Sequence, residues 1–553
     1  MKKLLCILLV CVLALSAVSA FAEEEKEVVT ITYYGQQNNR NSMDGFMNDY
    51  LEEKIGVRVE IIPWDSDKTQ ALLASRELPD IGKYYLNGSV ANVIDTGLLL
   101  DLTPYLDQIP NYSEVWTDSV KYMTEVVCEG KGLYALPLEL GTYNSFPIDP
   151  GCYDVALRWD VYEAIGAPEI NGLDDLIDVL AQMMEYMPYT EDGTKTWGII
   201  AFSNWDGSGG MWPAYKIPYI EGTMFNVGSS LMEYDTRTKE LTAMISEDSS
   251  YMRGVKFIYD CQQAGILDPD SSTQTYEATQ AKLKSGAAMC VMAGNYVDIY
   301  NSTEHGNAEN PSGYLPLCAD WIYPIVSSEN KLGSATGVVC VSASTDKLDA
   351  CLKFLNELYD EETMLTMYNG PRGEMWDIVD GKLVSLDGFW EMYNTGSYTL
   401  ASGEVLQTGQ FWCQWGLTND NMTSYGEPIR QTEWSTTALA ATDTKIYDMW
   451  RETTGYDLPI NGYREMGNLC YNTRITAFLP TLDEEMTLVR TSVGEKVVAY
   501  SWKMAYAADE TEFWSLYEQM RAECVALGIE TLEENLVANW EIAAETAALY
   551  GIE

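Results

Sequence analysis

Histidine is almost missing from this 553-residue chain: His305 stands alone, in a loop beside Gly306 and Asn307. A single imidazole gives a Ser-His-Asp or Cys-His arrangement one possible centre. No G-x-S-x-G elbow or H-E-x-x-H pair accompanies it, and no Walker-type phosphate loop appears. Basic residues are scarce as well, with 34 Lys and Arg against 83 Asp and Glu, a formal charge of −49. Long-range repulsion from such a surface opposes nucleic acid, anionic membranes and anionic solutes, so a neutral or cationic ligand is expected. None of the 12 cysteines forms a C-x-x-C pair, which removes zinc-ribbon and thioredoxin-type sites. Beyond the N-terminus no stretch approaches the roughly 20 apolar residues that a membrane-spanning helix needs. Internal repeats and low-complexity tracts are absent too.

What is present begins with an export signal. Lys2-Lys3 supply the positive start, Leu4 to Val18 the apolar run, and Ala20-Phe21-Ala22 a small-residue cleavage site, predicting a mature chain from Glu23. Cys6 and Cys11 leave with it. Of the ten cysteines that remain, Cys261, Cys290, Cys340 and Cys351 sit inside apolar runs and read as buried thiols. Disulfides are the alternative in an exported protein. Length predicts two domains or lobes.

Two stretches organise the mature chain. Ala74 to Pro110 reads as one β-α unit: Asp80-Ile81-Gly82 begins a short strand, Asn87-Gly88 turns, and Ser89 caps a helix with Val90, Val93 and Ile94 on one face. The second, FSNWDGSGGMWPAYKIPY at 202–219, is aromatic, poor in charge and rich in glycines read as flexible. Trp205, Asp206, Trp212 and Tyr215 there suit the wall of a sugar site, because aromatic faces stack on a pyranose and a carboxylate accepts hydrogen bonds from hydroxyls. An aromatic core corner is the competing reading.

The order LPDI, short strand, helix, GLLLDLTPYLDQIPN (97–111) resembles the N-lobe of extracellular solute-binding proteins of ABC importers. EGKGLYALP (129–137) resembles the strand where that family's chain first crosses from one lobe to the other. Arg158, Trp159, Asp160, Gly166 and Pro168 match its next block, Trp159 reading as packing on an amphipathic helix. AGILDPD (264–270), then LKSG and an apolar strand ending at Gly294-Asn295, resembles its second crossing. Gly370, Pro371, Gly373, Trp376, Asp380, Gly381 and Lys382 match a motif of its carbohydrate-receptor subgroup.

The resemblance implies an α/β fold of two lobes, each a central sheet flanked by helices, with ligand in an interlobe cleft. About three crossing segments would give a lobe 1 of 23–141 plus 274–336 and a lobe 2 of 142–273 plus 337–553. It adds Tyr34, Gln36 and Asn38 after the first strand, Asn295 and Tyr296 after a later one, Trp321, and Arg372 with Trp376 as ligand-binding candidates. It implies a monomeric receptor for a small polar solute, most simply a sugar, that serves a membrane permease without catalysis or cofactor. Lipid anchoring departs from the family pattern, since Val10 precedes Cys11 where a small residue belongs. Glu191-Asp192-Gly193 supplies too few oxygens for calcium. A secreted glycoside hydrolase, needing only two carboxylates and aromatic subsites, is the rival from another class. A receptor for peptides or other polar solutes is the other alternative.

Overall fold

A computed structural model describes residues 28–84, 90–142, 155–207, 209–292, 294–326, 328–334, 337–411, 414–419 and 421–552. The export signal, the Asn87-Gly88 turn, Ser89, Cys152, Trp412 and Cys413 lie outside these residues, as do the side chains of Asn38 and Asn295. The chain divides into two compact units: unit 1 takes residues up to 140, 331–377 and 386–419, and unit 2 takes 141–330, 378–385 and 420–553.

In unit 1, the alternating β-branched run forms β1 (Val29–Gly35), which pairs in parallel with β2 (Val57–Pro63) and β3 (Ile81–Gly82). The strand Val338–Val341 runs antiparallel to β3 and to β4 (Leu136–Pro137), giving a five-stranded sheet. Helix Phe46–Ile55 packs Met47 and Leu51 against it, and Tyr33, Phe354 and Trp415 meet behind it with ring centroids 5.4–6.4 Å apart. Gly82 is required where β1 and β3 touch. Its φ is +153°, and a Cβ there would lie 2.3 Å from the Tyr34 carbonyl oxygen. Gly82→Ala is therefore expected to cost about 2 kcal/mol or more in chemical denaturation, combining backbone strain with overpacking.

In unit 2, β5 (Ala156–Arg158) lies between the strands Tyr314–Pro316 and Ala288–Val291, antiparallel to both, and Ala288–Val291 continues in parallel to β6 (Trp197–Ile199). Helix Leu173–Tyr186 buries Leu176, Ile177, Val179, Leu180 and Met183, nearly the stripe its 3.6-residue spacing predicts. The stretch 484–528 forms two helices, Glu484–Ala505 and Glu510–Ala526, and a third, Ile529–Ala548, follows.

The expected division of the chain needs correction. The first boundary falls one residue from its predicted place, but 274–330 belongs to unit 2, because strand Ala288–Val291 hydrogen-bonds β5 and β6. Residues 337–377 and 386–419 belong to unit 1, because Val338–Val341 completes the sheet around β3. The chain passes between the units at residues 140–141, 330–331, 377–378, 385–386 and 419–420, more often than the three expected segments. Among the described residues Cys128, Cys261, Cys290, Cys340, Cys351, Cys470 and Cys524 are buried thiols outside any disulfide.

Candidate functional site

The 202–219 stretch builds an aromatic wall within unit 2. Phe202, buried at its base, contacts Trp205 at 5.3 Å, Trp212 at 5.6 Å and Tyr276 at 5.3 Å between ring centroids. Trp205 lies 5.2 Å from Trp212 and 4.5 Å from Tyr276, while Tyr296 joins through Tyr276 at 5.1 Å. Trp205 remains 42% exposed, so this cluster presents an indole outward as well as packing inward. A small cavity of about 40 Å³ lies beside the wall, lined by Phe202, Trp212, Lys216, Met292 and Tyr296 among others. The buried Lys216 ammonium lies 3.8 Å from the centre of the Trp212 ring, a cation–π contact strengthened by removal from water.

Local chemistry fixes the wall. The Ser203 amide donates to the Gln274 carbonyl at 3.2 Å, and the Tyr276 amide donates to Asn204 Oδ1 at 2.7 Å. Asp206 Oδ1 accepts from the Trp212 amide at 2.7 Å, and its Oδ2 accepts from Trp502 Nε1 at 2.5 Å. Both oxygens are thus engaged by the protein, and Asp206 holds the loop in shape. Gly207 has open space around it, but Gly209 and Gly210 are required sterically: a Cβ on Gly210 would lie 2.4 Å from the Phe225 ring, and one on Gly209 2.1 Å from Leu231. They permit close packing beneath the wall.

Of the sequence-predicted residues, Trp205, Asp206, Trp212 and Tyr296 come together here. Others do not. Tyr34 is fully buried in unit 1, its hydroxyl donating to the Asp65 carbonyl at 2.7 Å and lying 2.9 Å from Thr69 Oγ1, so it is a core residue. Trp376 is likewise fully buried, its indole donating to the Gly370 carbonyl at 2.8 Å. Arg372 is exposed and paired with Asp377 at 2.8 Å and Glu362 at 3.3 Å. Trp321 packs at the edge of the unit 2 core and donates to the Ile170 carbonyl. Gln36, partly exposed, precedes helix Gln37–Met43 in unit 1. Sequence reasoning missed Phe202, Lys216, Tyr276 and Trp502. The first two lie inside the aromatic stretch and could have been included, whereas nothing local to Tyr276 or Trp502 signals the tertiary contact.

Burial pushes the Asp206 carboxyl up to about 6 despite its two donors. It pushes Glu233, which accepts from the Ser250 and Tyr251 amides at the start of helix Ser250–Gln263, up to about 8. Both groups hold protons more tightly folded than unfolded, so each adds up to about 1.4 kcal/mol of stability per pH unit as pH falls towards 5, Glu233 from about 8 and Asp206 only from about 6. Below about pH 4 the trend reverses, because hydrogen-bonded Asp80 and Asp360, whose carboxyls sit below the usual range, must then protonate. Thermal unfolding at pH 8, 5 and 3 checks this, with the highest midpoint expected at pH 5.

The sequence signature of the bacterial extracellular solute-binding proteins matches residues 46–373, more than half of the chain. The chain belongs to that family. Its fold is the α/β two-lobe fold of these proteins. An HMO-binding, ABC-transporter-associated solute-binding protein from Bifidobacterium longum infantis superposes with a TM-score of 0.61 at 14% identity, covering 93% of this chain and 99% of that one. A Streptococcus pneumoniae ABC-transporter substrate-binding protein in complex with kestose gives 0.57 at 12% identity, covering 94% and 99%. In sequence, lipoprotein LipO of Bacillus subtilis is 22% identical over 350 residues, 61% of this chain, and the match spans 65% of that protein's length. Among the described residues no helix is long and apolar enough to cross a membrane.

Proposed function

We propose that this protein is the extracytoplasmic substrate-binding component of an ABC importer and that it captures a neutral saccharide, as a monomer, for delivery to a membrane permease. The observation that carries this reading is the aromatic wall of unit 2, where exposed Trp205 stands on Trp212, Phe202 and Tyr276 beside a cavity. Stacked aromatic surface with a few polar groups is what a pyranose requires, its C–H face apolar and its rim hydroxylated. The charge of −49 favours neutral over anionic sugars. The two structural relatives, one HMO-binding and one in complex with kestose, agree with this choice. A receptor of this kind works by differential affinity: ligand stabilises the conformation that the permease reads, and no bond is made or broken. Export with cleavage after Ala22 places it outside the cytoplasm.

The test is a thermal-shift screen of the chain from Glu23 against neutral oligosaccharides, with cationic peptides as contrast and the sugars analysed afterwards. A receptor gives a melting rise that grows with ligand concentration, about 2.7 kcal/mol at one hundred times Kd, and leaves the sugar intact. Release of shorter sugars would establish the glycoside hydrolase instead, and a response to peptides alone would move the ligand class.

A further inference from the structure

Helix Glu484–Ala505 is tied to the aromatic wall by two hydrogen-bonded chains that run side by side. Trp502 Nε1 donates to Asp206 Oδ2 at 2.5 Å, and Asp206 Oδ1 accepts from the Trp212 amide at 2.7 Å. Ser501 Oγ lies 2.8 Å from the Tyr251 hydroxyl, which accepts from the Met211 amide at 2.9 Å. Consecutive residues of one helix thus reach consecutive amides of the wall. Two turns earlier in the helix, a Cβ on Gly494 would lie 3.0 Å from the Gly209 Cα, so helix and wall also touch directly.

The two chains respond differently to protons. Tyr251 is fully buried and burial pushes its phenol above the usual range, so the chain through Ser501 stays neutral and intact. The chain through Trp502 depends on a carboxylate. Ionised, Asp206 offers only acceptors, which suits two N–H donors, and bonds to a charged acceptor are about twice as strong as neutral ones. A proton on either oxygen removes the charge and sets an O–H against one of those donors. Burial favours that proton and pushes the carboxyl up to about 6, against the pull of both donors. Among the described residues Asp206 makes no ion pair that would oppose it. The groups that face it are the Tyr251 phenol from helix Ser250–Gln263, and Ser501 and Trp502, which do not titrate, from Glu484–Ala505. Tyr215 and Lys216 reach the Trp212 ring, at 4.8 Å and 3.8 Å.

We infer that Asp206 is a proton-sensitive positioning residue: ionised, it ties Trp212 to helix Glu484–Ala505 in the geometry that holds saccharide, and protonated, it lets the wall slacken and the ligand go. This rests on the saccharide reading above. The ligand binds the ionised form, and affinity is lost as pH falls through about 6. The unliganded protein gains stability over the same interval, so the loss is not unfolding.

Calorimetric titration with a panel of neutral tetrasaccharides is the test. The best binder should bind about tenfold more weakly at pH 5 than at pH 7, as the ionised fraction falls from about nine-tenths to about one-tenth. At pH 6, buffers of different ionisation heat should report about half a proton released per saccharide bound. Asp206→Asn should bind weakly at both ends of that range and release no proton. Equal wild-type affinity at pH 5 and pH 7 would overturn the inference and leave the saccharide reading standing, as would an unchanged pH dependence in D206N. No binding by wild type at either pH would overturn both. Should D206N fail to fold, Trp502→Phe decides: with one donor gone the proton is held more tightly, so the fall in affinity moves to higher pH, and an unshifted fall overturns the inference.

Discussion

Trp205→Ala should weaken saccharide binding by about 10- to 100-fold while leaving the protein close to wild-type stability. The first half follows from the chemistry of a stacking platform, where one well-placed aromatic anchor contributes about 1.5–3 kcal/mol of affinity. The second follows from exposure. Trp205 is 42% accessible and its contacts run to other aromatic rings, so its removal opens surface rather than a closed cavity. Titration calorimetry and thermal unfolding of the same variant separate the two effects. Unchanged affinity would place the ligand away from the wall. Asp206→Asn is a different case, since both oxygens already serve the loop and Trp502. Its effect would come through wall geometry.

Trp159→Ala should cost about 3–5 kcal/mol, the usual range for emptying a fully buried tryptophan site. Trp159 is 1% exposed, packs on Tyr162 at 5.1 Å and Trp450 at 6.5 Å, and lies at the centre of the unit 2 core. Among the described residues its indole N–H has no acceptor, so the loss is one of packing, with no hydrogen bond to subtract. Scanning calorimetry should show a transition about 4–7 °C lower, since an unfolding entropy of about 2.1 cal/mol/K per residue over the roughly 330 residues of unit 2 gives about 1.4 °C per kcal/mol. A change under about 1 kcal/mol would mean that the core collapses freely around the vacancy. Trp159→Phe, which keeps a ring and drops the unsatisfied donor, should lose far less.

These two tryptophans also mark what could be read from sequence. Trp159 was legible as packing because it sits on an amphipathic segment, and the helical stripe of Leu176, Ile177, Leu180 and Met183 was legible from spacing alone. Local periodicity reports which face is buried. It does not report which strand a strand pairs with. For that reason Ala288–Val291 and Val338–Val341 lie in the opposite units from those expected, though the first reads as an apolar strand and the second as an apolar run. The candidate site divides the same way. The stretch 202–219 announced Trp205 and Trp212 through its density of rings. Tyr276 and Trp502 reach the wall through contacts about 70 and 290 residues away in sequence, which carry no local signature. Tyr34 and Trp376 failed as candidates because a residue at the end of a strand or beside a turn can point inward, and alternation cannot tell in from out when both faces of a sheet are covered.

The measurement that tests the central claim most directly is hydroxyl-radical footprinting read by mass spectrometry, with and without the saccharide that best raises the melting temperature. Trp205 is open to oxidation in the free protein, while fully buried Trp159, Trp376 and Trp415 serve as internal references. Saturating saccharide should protect Trp205 strongly and leave the three references unchanged. Oxidation of Trp205 at an undiminished rate in the saturated complex would contradict the aromatic wall as the place where ligand is held.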